Sequence, residues 1–290
     1  LKVAYLGPAG TFSEDALHSS GLAPEEFEPV LCDSIAAVVE AIGKGLADRA
    51  LVPVENSIEG SVRTTLDTLV LQAGSVTIAG EYVHAIRSAL IARSQLPLDS
   101  IVAVVSHPQP LAQCARFLRE ELTNAEIRVA DSTSAAVREV GRGEAGLAAL
   151  GPAAAAGLYG CTVIREGIED EPGNSTRFLW LAPDKDPSAT AATKDSIPPG
   201  RWKTSVVFSG LGNDHPGALV EALLEFSTRQ INLARIESRP ERRELGRYRF
   251  FIDIEGHRGD PGVAEALSGL RGKASTVLVL GSYPAARAAD

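Results

Sequence analysis

Methionine is absent from this sequence, position 1 included. The 290 residues hold three cysteines, Cys32, Cys114 and Cys161, far apart and with no CxxC spacing. An odd, scattered set argues against a disulfide framework and for free thiols in a reducing compartment. The five histidines (His18, His84, His107, His215, His257) show no HExxH or comparable spacing, so no metal is expected. No apolar run reaches the roughly 20 residues that a membrane-spanning helix needs. The opening residues, Leu1 to Gly7, enter a strand-like pattern without the apolar core of a signal peptide. A cytoplasmic location is expected, with no membrane partner. Basic runs are missing too. With a formal net charge of -9, the chain lacks the footprint that nucleic-acid binding requires. An acidic chain that binds an anion must gather N–H donors or positive charge locally, in a pocket and not on a broad surface.

What is present is the balance of a globular chain, 44% hydrophobic and 22% charged, and 290 residues suit two or three domains. Up to about residue 180, short β-like runs alternate with helical patterns. Strands are expected at Val3 to Leu6, Ala50 to Val54, Ile101 to Val105, Ile127 to Ala130 and Ala145 to Leu150. Helices are expected from about Ser13, after Asp33 or Ser34, around Leu111 to Leu118 and at Ala135 to Val140. The second of these carries Ile35, Val38, Val39 and Ile42 at i, i+3, i+4 and i+7. The alternation argues for an α/β architecture with mostly parallel strands. Pro183 to Arg201, rich in Pro, Ser, Thr, Ala and Asp, reads as a linker. Beyond it the expected order is strand 204–209, helix 216–229, strands 231–238 and 246–254, helix 260–270 and strand 275–281. That is βαββαβ, a ferredoxin-like layout whose open surfaces commonly pair with a second copy.

Five polar loops punctuate the first region: Gly7 to Ser13, Pro53 to Ser57, Ser106 to Gln109, Asp131 to Ser134 and Asn174 to Phe178. In open α/β sheets, ligands sit beyond the carboxyl ends of the strands. Helices that begin at such loops point free N–H groups there, and the hydroxyls add donors, which suits an anion. Taken singly, each loop reads as a helix cap or turn.

As an ordered set the loops say more. Gly7-Pro-Ala-Gly-Thr-Phe-Ser13, Pro53-Val-Glu-Asn-Ser-Ile-Glu-Gly-Ser61 and Asn174-Ser-Thr-Arg-Phe178 together resemble the prephenate dehydratase family. Gly217-Ala-Leu219 and Ile231-Asn-Leu-Ala-Arg-Ile-Glu-Ser-Arg-Pro240 resemble the phenylalanine-binding segments of its ACT regulatory domain. The resemblance spans nearly the whole chain. It implies a two-lobed, periplasmic-binding-protein-like catalytic domain over 1–182, with crossovers near 75 and 170. A linker over 183–202 and an ACT domain over 203–282 follow. The implied reaction is decarboxylative dehydration of prephenate to phenylpyruvate, with neither metal nor cofactor and with phenylalanine as allosteric effector of a homodimer or homotetramer.

The same resemblance makes Thr176 the residue the family requires, as a positioned donor at the departing hydroxyl, and pairs Arg177 with a substrate carboxylate. Thr11, Ser13, Asn56 and Ser57 are further catalytic candidates. Asn174, Phe178, Glu55, Ser132, Thr133 and Ser134 are candidates for substrate binding. Glu55 is the awkward member, because a carboxylate beside an anion is repelled unless it is protonated or faces away. His107 is assigned to its turn and not to catalysis. Gly217, Ala218, Leu219, Asn232, Leu233, Glu237, Ser238 and Arg239 are expected near phenylalanine, though Arg239 has the acidic turn after it as a competing partner. An arogenate dehydratase and a non-catalytic small-molecule sensor are the competing readings.

Overall fold

The computed structural model describes residues 1–184, 202–212, 215–241 and 246–286. The expected linker thus lies almost wholly outside the described residues. The chain divides into two compact units. One comprises Leu1–Val38, Leu51–Arg63 and Val83–Phe178, the other Val39–Ala50, Thr64–Tyr82 and Leu179–Asp290. Among the described residues, no helix is long and apolar enough to cross a membrane.

The chain begins β1 (Lys2–Leu6), α1 (Phe12–Ser19), β2 (Glu28–Cys32), α2 (Ile35–Gly43), β3 (Arg49–Asn56), β4 (Gly60–Ser61), α3 (Arg63–Leu71) and β5 (Val76–Ala85). It continues β6 (Ala89–Ala92), β7 (Ala103–Ser106), α4 (Pro108–Gln113), α5 (Ala115–Glu121), β8 (Glu126–Val129), α6 (Thr133–Arg142), β9 (Leu147–Gly151), α7 (Ala154–Leu158), β10 (Thr162–Glu166) and β11 (Ser175–Pro183). These strands form two sheets, ordered β2-β1-β3-β11-β5, with β4 beside β3, and β10-β6-β9-β7-β8. Pairs β1–β2, β7–β8 and β7–β9 are parallel, as the βα alternation predicts.

The expectation of mostly parallel strands is corrected at β6, which runs antiparallel to both β9 and β10. β6 enters this sheet directly from β5 of the other sheet, after only residues 86–88. Periodicity could not reveal β6, since all four residues of Ala-Leu-Ile-Ala are buried. Ala89 and Ile91 pack with Ala136, Val137 and Val140 of α6. Leu90 and Ala92 pack with Leu111, Cys114 and Leu118 on the opposite face. Two covered faces turn a period-2 strand into a continuous apolar run. Burial pushes the Cys114 thiol up to about 12, against a lowering by its bond to Ser88, so it serves as core.

The C-terminal region comprises β12 (Trp202–Ser209), α8 (Ala218–Ser227), β13 (Leu233–Pro240), β14 (Tyr248–Glu255), α9 (Pro261–Arg271) and β15 (Thr276–Pro284). The sheet order is β13-β14-β12-β15, antiparallel throughout, which is the expected βαββαβ arrangement. The first helix starts at Ala218 and not at Pro216, because Gly217 sits at its N-cap with φ +96°. Ala222 and Phe226 of α8 and Val263, Ala266, Leu267 and Leu270 of α9 cover one sheet face, closing on Phe208 and Ile252.

Where β15 meets β5, Thr77 Oγ1 donates to the Leu280 carbonyl at 3.1 Å. At Gly281 an added Cβ would lie 2.2 Å from the Ile78 carbonyl oxygen, so backbone would have to move. Gly281→Val is therefore expected to destabilise the protein by about 1–3 kcal/mol, the usual range for overpacking. Gly157→Ala, where a Cβ meets nothing within 4 Å, should be neutral or stabilising in the same thermal-unfolding measurement.

Candidate active site

Within the first unit lies a cavity of about 350 Å³, in the size range of small-molecule sites. All five polar loops reach it: through Thr11 and Ser13, through Pro53 and Asn56, through His107 and Gln109, through Asp131 to Thr133, and through Thr176 and Phe178. Two helices of eight and ten residues start at its wall. Thr11 is the N-cap of α1, and Ser132 caps α6 by accepting from the Ala135 N–H at 3.0 Å. Their first turns supply the donor-rich, anion-tolerant end of a helix. Leu6, Phe12, Val62, Ile86 and Phe178 add apolar surface to the wall.

Asn56 organises the Thr176 side of the cavity. Its Oδ1 accepts from the N–H groups of Ile58 and Glu59, both at 3.0 Å. Those two bonds orient the amide, so Nδ2 is the donor. Its two hydrogens are shared among Asn174 Oδ1 at 2.8 Å, the Ser175 carbonyl at 3.2 Å and Thr176 Oγ1 at 3.0 Å. A hydroxyl has one hydrogen and two lone pairs. With one lone pair of Thr176 engaged by Asn56, its hydrogen is left to donate, and Thr176 lines the cavity.

Other candidates stand elsewhere. Successive strand residues face opposite ways. Thr176 and Phe178 line the cavity, whereas Arg177 between them is turned from it and pairs with Glu55 at 3.3 Å. A facing arginine also answers how a carboxylate can sit in this loop. Ser134, one residue past the lining Thr133, is buried; its Oγ donates to the Ala9 carbonyl and meets the Tyr159 hydroxyl at 2.7 Å. It ties the Gly7 to Ser13 loop to α6. Gly10, at φ +82°, sends its N–H to Glu14 in the first turn of α1. Asn174 stands behind the wall, donating to Gln113 Oε1 at 3.1 Å, and Ser57 Oγ accepts from the Ser175 N–H at 3.0 Å. Both brace the strand that carries Thr176.

His107, Gln113 and Asp131, none of them an expected site residue, also line the cavity. His107 had a readable signal. It follows a buried strand and precedes Pro108 at the first position of a helix, so it marks a strand end at the site.

The model of the family described as prephenate dehydratase matches residues 3–186, and that of the ACT domain matches residues 206–272. The chain belongs to the prephenate dehydratase family. It is accordingly an enzyme of the lyase class with a C-terminal ACT domain. A prephenate dehydratase of Mycobacterium sp. (strain JLS) is 40% identical over 298 aligned residues, covering 99% of this chain and 90% of that protein. The crystal structure of a prephenate dehydratase of Arthrobacter aurescens in complex with L-Phe matches with a TM-score of 0.84 and 36% identity. It covers 98% of this chain and 90% of its own. A third structure, GqqA, described as a novel type of quorum quenching acylase, matches with a TM-score of 0.83 and 28% identity, over 99% and 98% of the two chains.

In the ACT domain of this family member, Ala218 and Leu219 line a second cavity of about 360 Å³, together with His215, Arg247 and Tyr248. Gly217 adjoins them at the N-cap of α8. The remaining effector candidates are carried by β13 or lie just before it, at the edge of the sheet. Asn232 Nδ2 donates to Glu255 Oε1 at 3.0 Å, Leu233 packs on the ACT core, and Ser238 is exposed. Glu237 pairs with Arg235. Arg239, like Asp67, lies among the described residues, whereas most of the acidic turn does not. Its Nε and Nη2 grip Asp67 of α3 side by side, at 3.0 and 2.8 Å.

Proposed function

We propose that this enzyme converts prephenate to phenylpyruvate, carbon dioxide and water, and that its ACT domain binds phenylalanine as effector. The observation that carries the proposal is the Thr176 hydroxyl on the cavity wall, with Asn56 holding one of its lone pairs. In the reaction the bond from the ring to its carboxylate breaks and carbon dioxide leaves. The electron pair enters the ring as the C–O bond to the hydroxyl breaks, and a proton completes the water. Aromatisation drives the step, so the protein's task is to fix geometry and help oxygen depart. Thr176 donates to that oxygen as a positioned donor or relay, since a threonine hydroxyl is a weak acid by itself.

Around it, Thr11, Ser13, Ser132 and Thr133 are assigned to substrate oxygens, with Phe178 against the ring. Asn174, Ser57 and Ser134 keep supporting roles, and the Arg177–Glu55 pair holds the strand from behind. The proposed limits are 1–182 for catalysis, 183–202 for the linker and 203–282 for the ACT domain. A cytoplasmic homodimer or homotetramer is the proposed form. Support comes from the edge position of β13 and from exposed Val220, Leu224 and Ile236 on α8 and β13. The effector assignment rests on the Arthrobacter aurescens complex with L-Phe.

Acylase chemistry, suggested by GqqA, would need an activated nucleophile. Among the described residues, no cavity hydroxyl is hydrogen-bonded to His107, whose Nδ1 is taken by the Gln109 N–H. The dehydratase reading is therefore preferred. Purified protein is expected to release phenylpyruvate from prephenate at neutral pH, and added phenylalanine is expected to change the rate. Arogenate run in parallel decides between the two substrates. Turnover of neither by folded protein overturns the proposal in favour of a sensor.

A further inference from the structure

With Arg177 turned from the cavity, the substrate's two carboxylates need another partner. Among the described residues that line the cavity, His107 is the one whose side chain can carry positive charge. Its ring is also oriented. His107 ends β7 and is the N-cap of α4, where Nδ1 accepts the Gln109 N–H at 3.3 Å. A nitrogen that accepts holds no proton, so in the neutral ring the proton lies on Nε2.

We propose that His107 Nε2–H is the donor that binds the carboxylate of the substrate's side chain, the one that stays in the product. This rests on the dehydratase reading above and extends it to a residue that selects the substrate. The choice between carboxylates follows from what each does. The ring carboxylate departs as a neutral molecule, and a strong donor on it would stabilise the ground state and slow the step. The side-chain carboxylate keeps its charge throughout, so a donor there tightens substrate and product alike and leaves the chemical barrier unchanged.

Two replacements separate binding from capping. In His107→Asn, the side-chain oxygen still accepts from the Gln109 N–H and keeps the cap, but nothing reaches the Nε2 position. In His107→Gln, the longer amide supplies an N–H near that position and the cap is lost. For His107→Asn, KM is expected to rise about tenfold or more, the effect of one hydrogen bond to a charged group, with kcat within about threefold of the parent. Inhibition by phenylpyruvate should weaken by the same factor, because the product retains that carboxylate. His107→Gln should keep KM near the parent value and lower the melting temperature instead.

The measurement uses prephenate, whose product is phenylpyruvate; a parent that consumes only arogenate, whose product is phenylalanine, is tested by KM alone. An unchanged KM in His107→Asn overturns the assignment while leaving the dehydratase reading intact. So does the reverse pattern, with Asn spared and Gln impaired, which marks a purely structural cap. A raised KM with unaltered phenylpyruvate inhibition overturns the side-chain carboxylate as the group bound. If the parent consumes neither substrate, the dehydratase reading fails and this inference fails with it.

Discussion

Thr176→Ala is expected to lower kcat on prephenate by about 10²–10³-fold, the usual loss when one transition-state donor is removed. KM should change only a few-fold, since the hydroxyl's contribution is made as the oxygen departs. The fold should survive. Asn56 Nδ2 keeps Asn174 Oδ1 and the Ser175 carbonyl as acceptors, so no buried donor is orphaned. Thr176→Val is the sharper variant, because it keeps the branched shape and loses only the hydroxyl. Thr176→Ser should stay within about tenfold of the parent if the oxygen is what matters. Near-normal kcat in the Ala and Val proteins, with thermal unfolding like the parent's, would remove Thr176 from the mechanism.

The second large effect concerns stability. Lys203 Nζ meets Glu81 Oε1 at 2.7 Å, and the Ala286 N–H donates to the same oxygen at 2.8 Å. The Glu81 side chain is 1% exposed and that of Lys203 22%. Lys203→Met would take the Nζ charge away from a buried carboxylate, and breaking a buried ion pair in this way typically costs about 3 kcal/mol. In a protein of this size that corresponds to a melting temperature roughly 6–12 °C lower. Lys203→Met combined with Glu81→Gln should recover at least half of the loss, since the buried group is then neutral. Simple additivity of the two single effects would show that the pair is not coupled and refute the account.

Strand alternation separates what could be read in the chain from what could not. The motif Asn174 to Phe178 announced a site, yet which members face it depends on the pleat. Thr176 and Phe178 share one face, and Arg177, the most obviously anion-binding of the five, takes the other with Glu55. Serine positions in a helix divide the same way. Ser132 caps α6 and lines the cavity, while Ser134 two residues on holds Ala9. The sequence assigns His107 to its turn. His107 does cap, and the same ring also lines the cavity.

By itself, the sequence determined the α/β class, the βαββαβ order of the C-terminal region, the family and the five loops that meet at the cavity. These follow from local rules: helix period, strand alternation, caps, and short motifs in a fixed order. Only the tertiary structure decided the direction of β6, the partner of Arg239 at Asp67, and the inward turn of His107. Each of these depends on a segment far away in the chain arriving at a particular face. A residue's neighbours along the chain carry no record of that encounter.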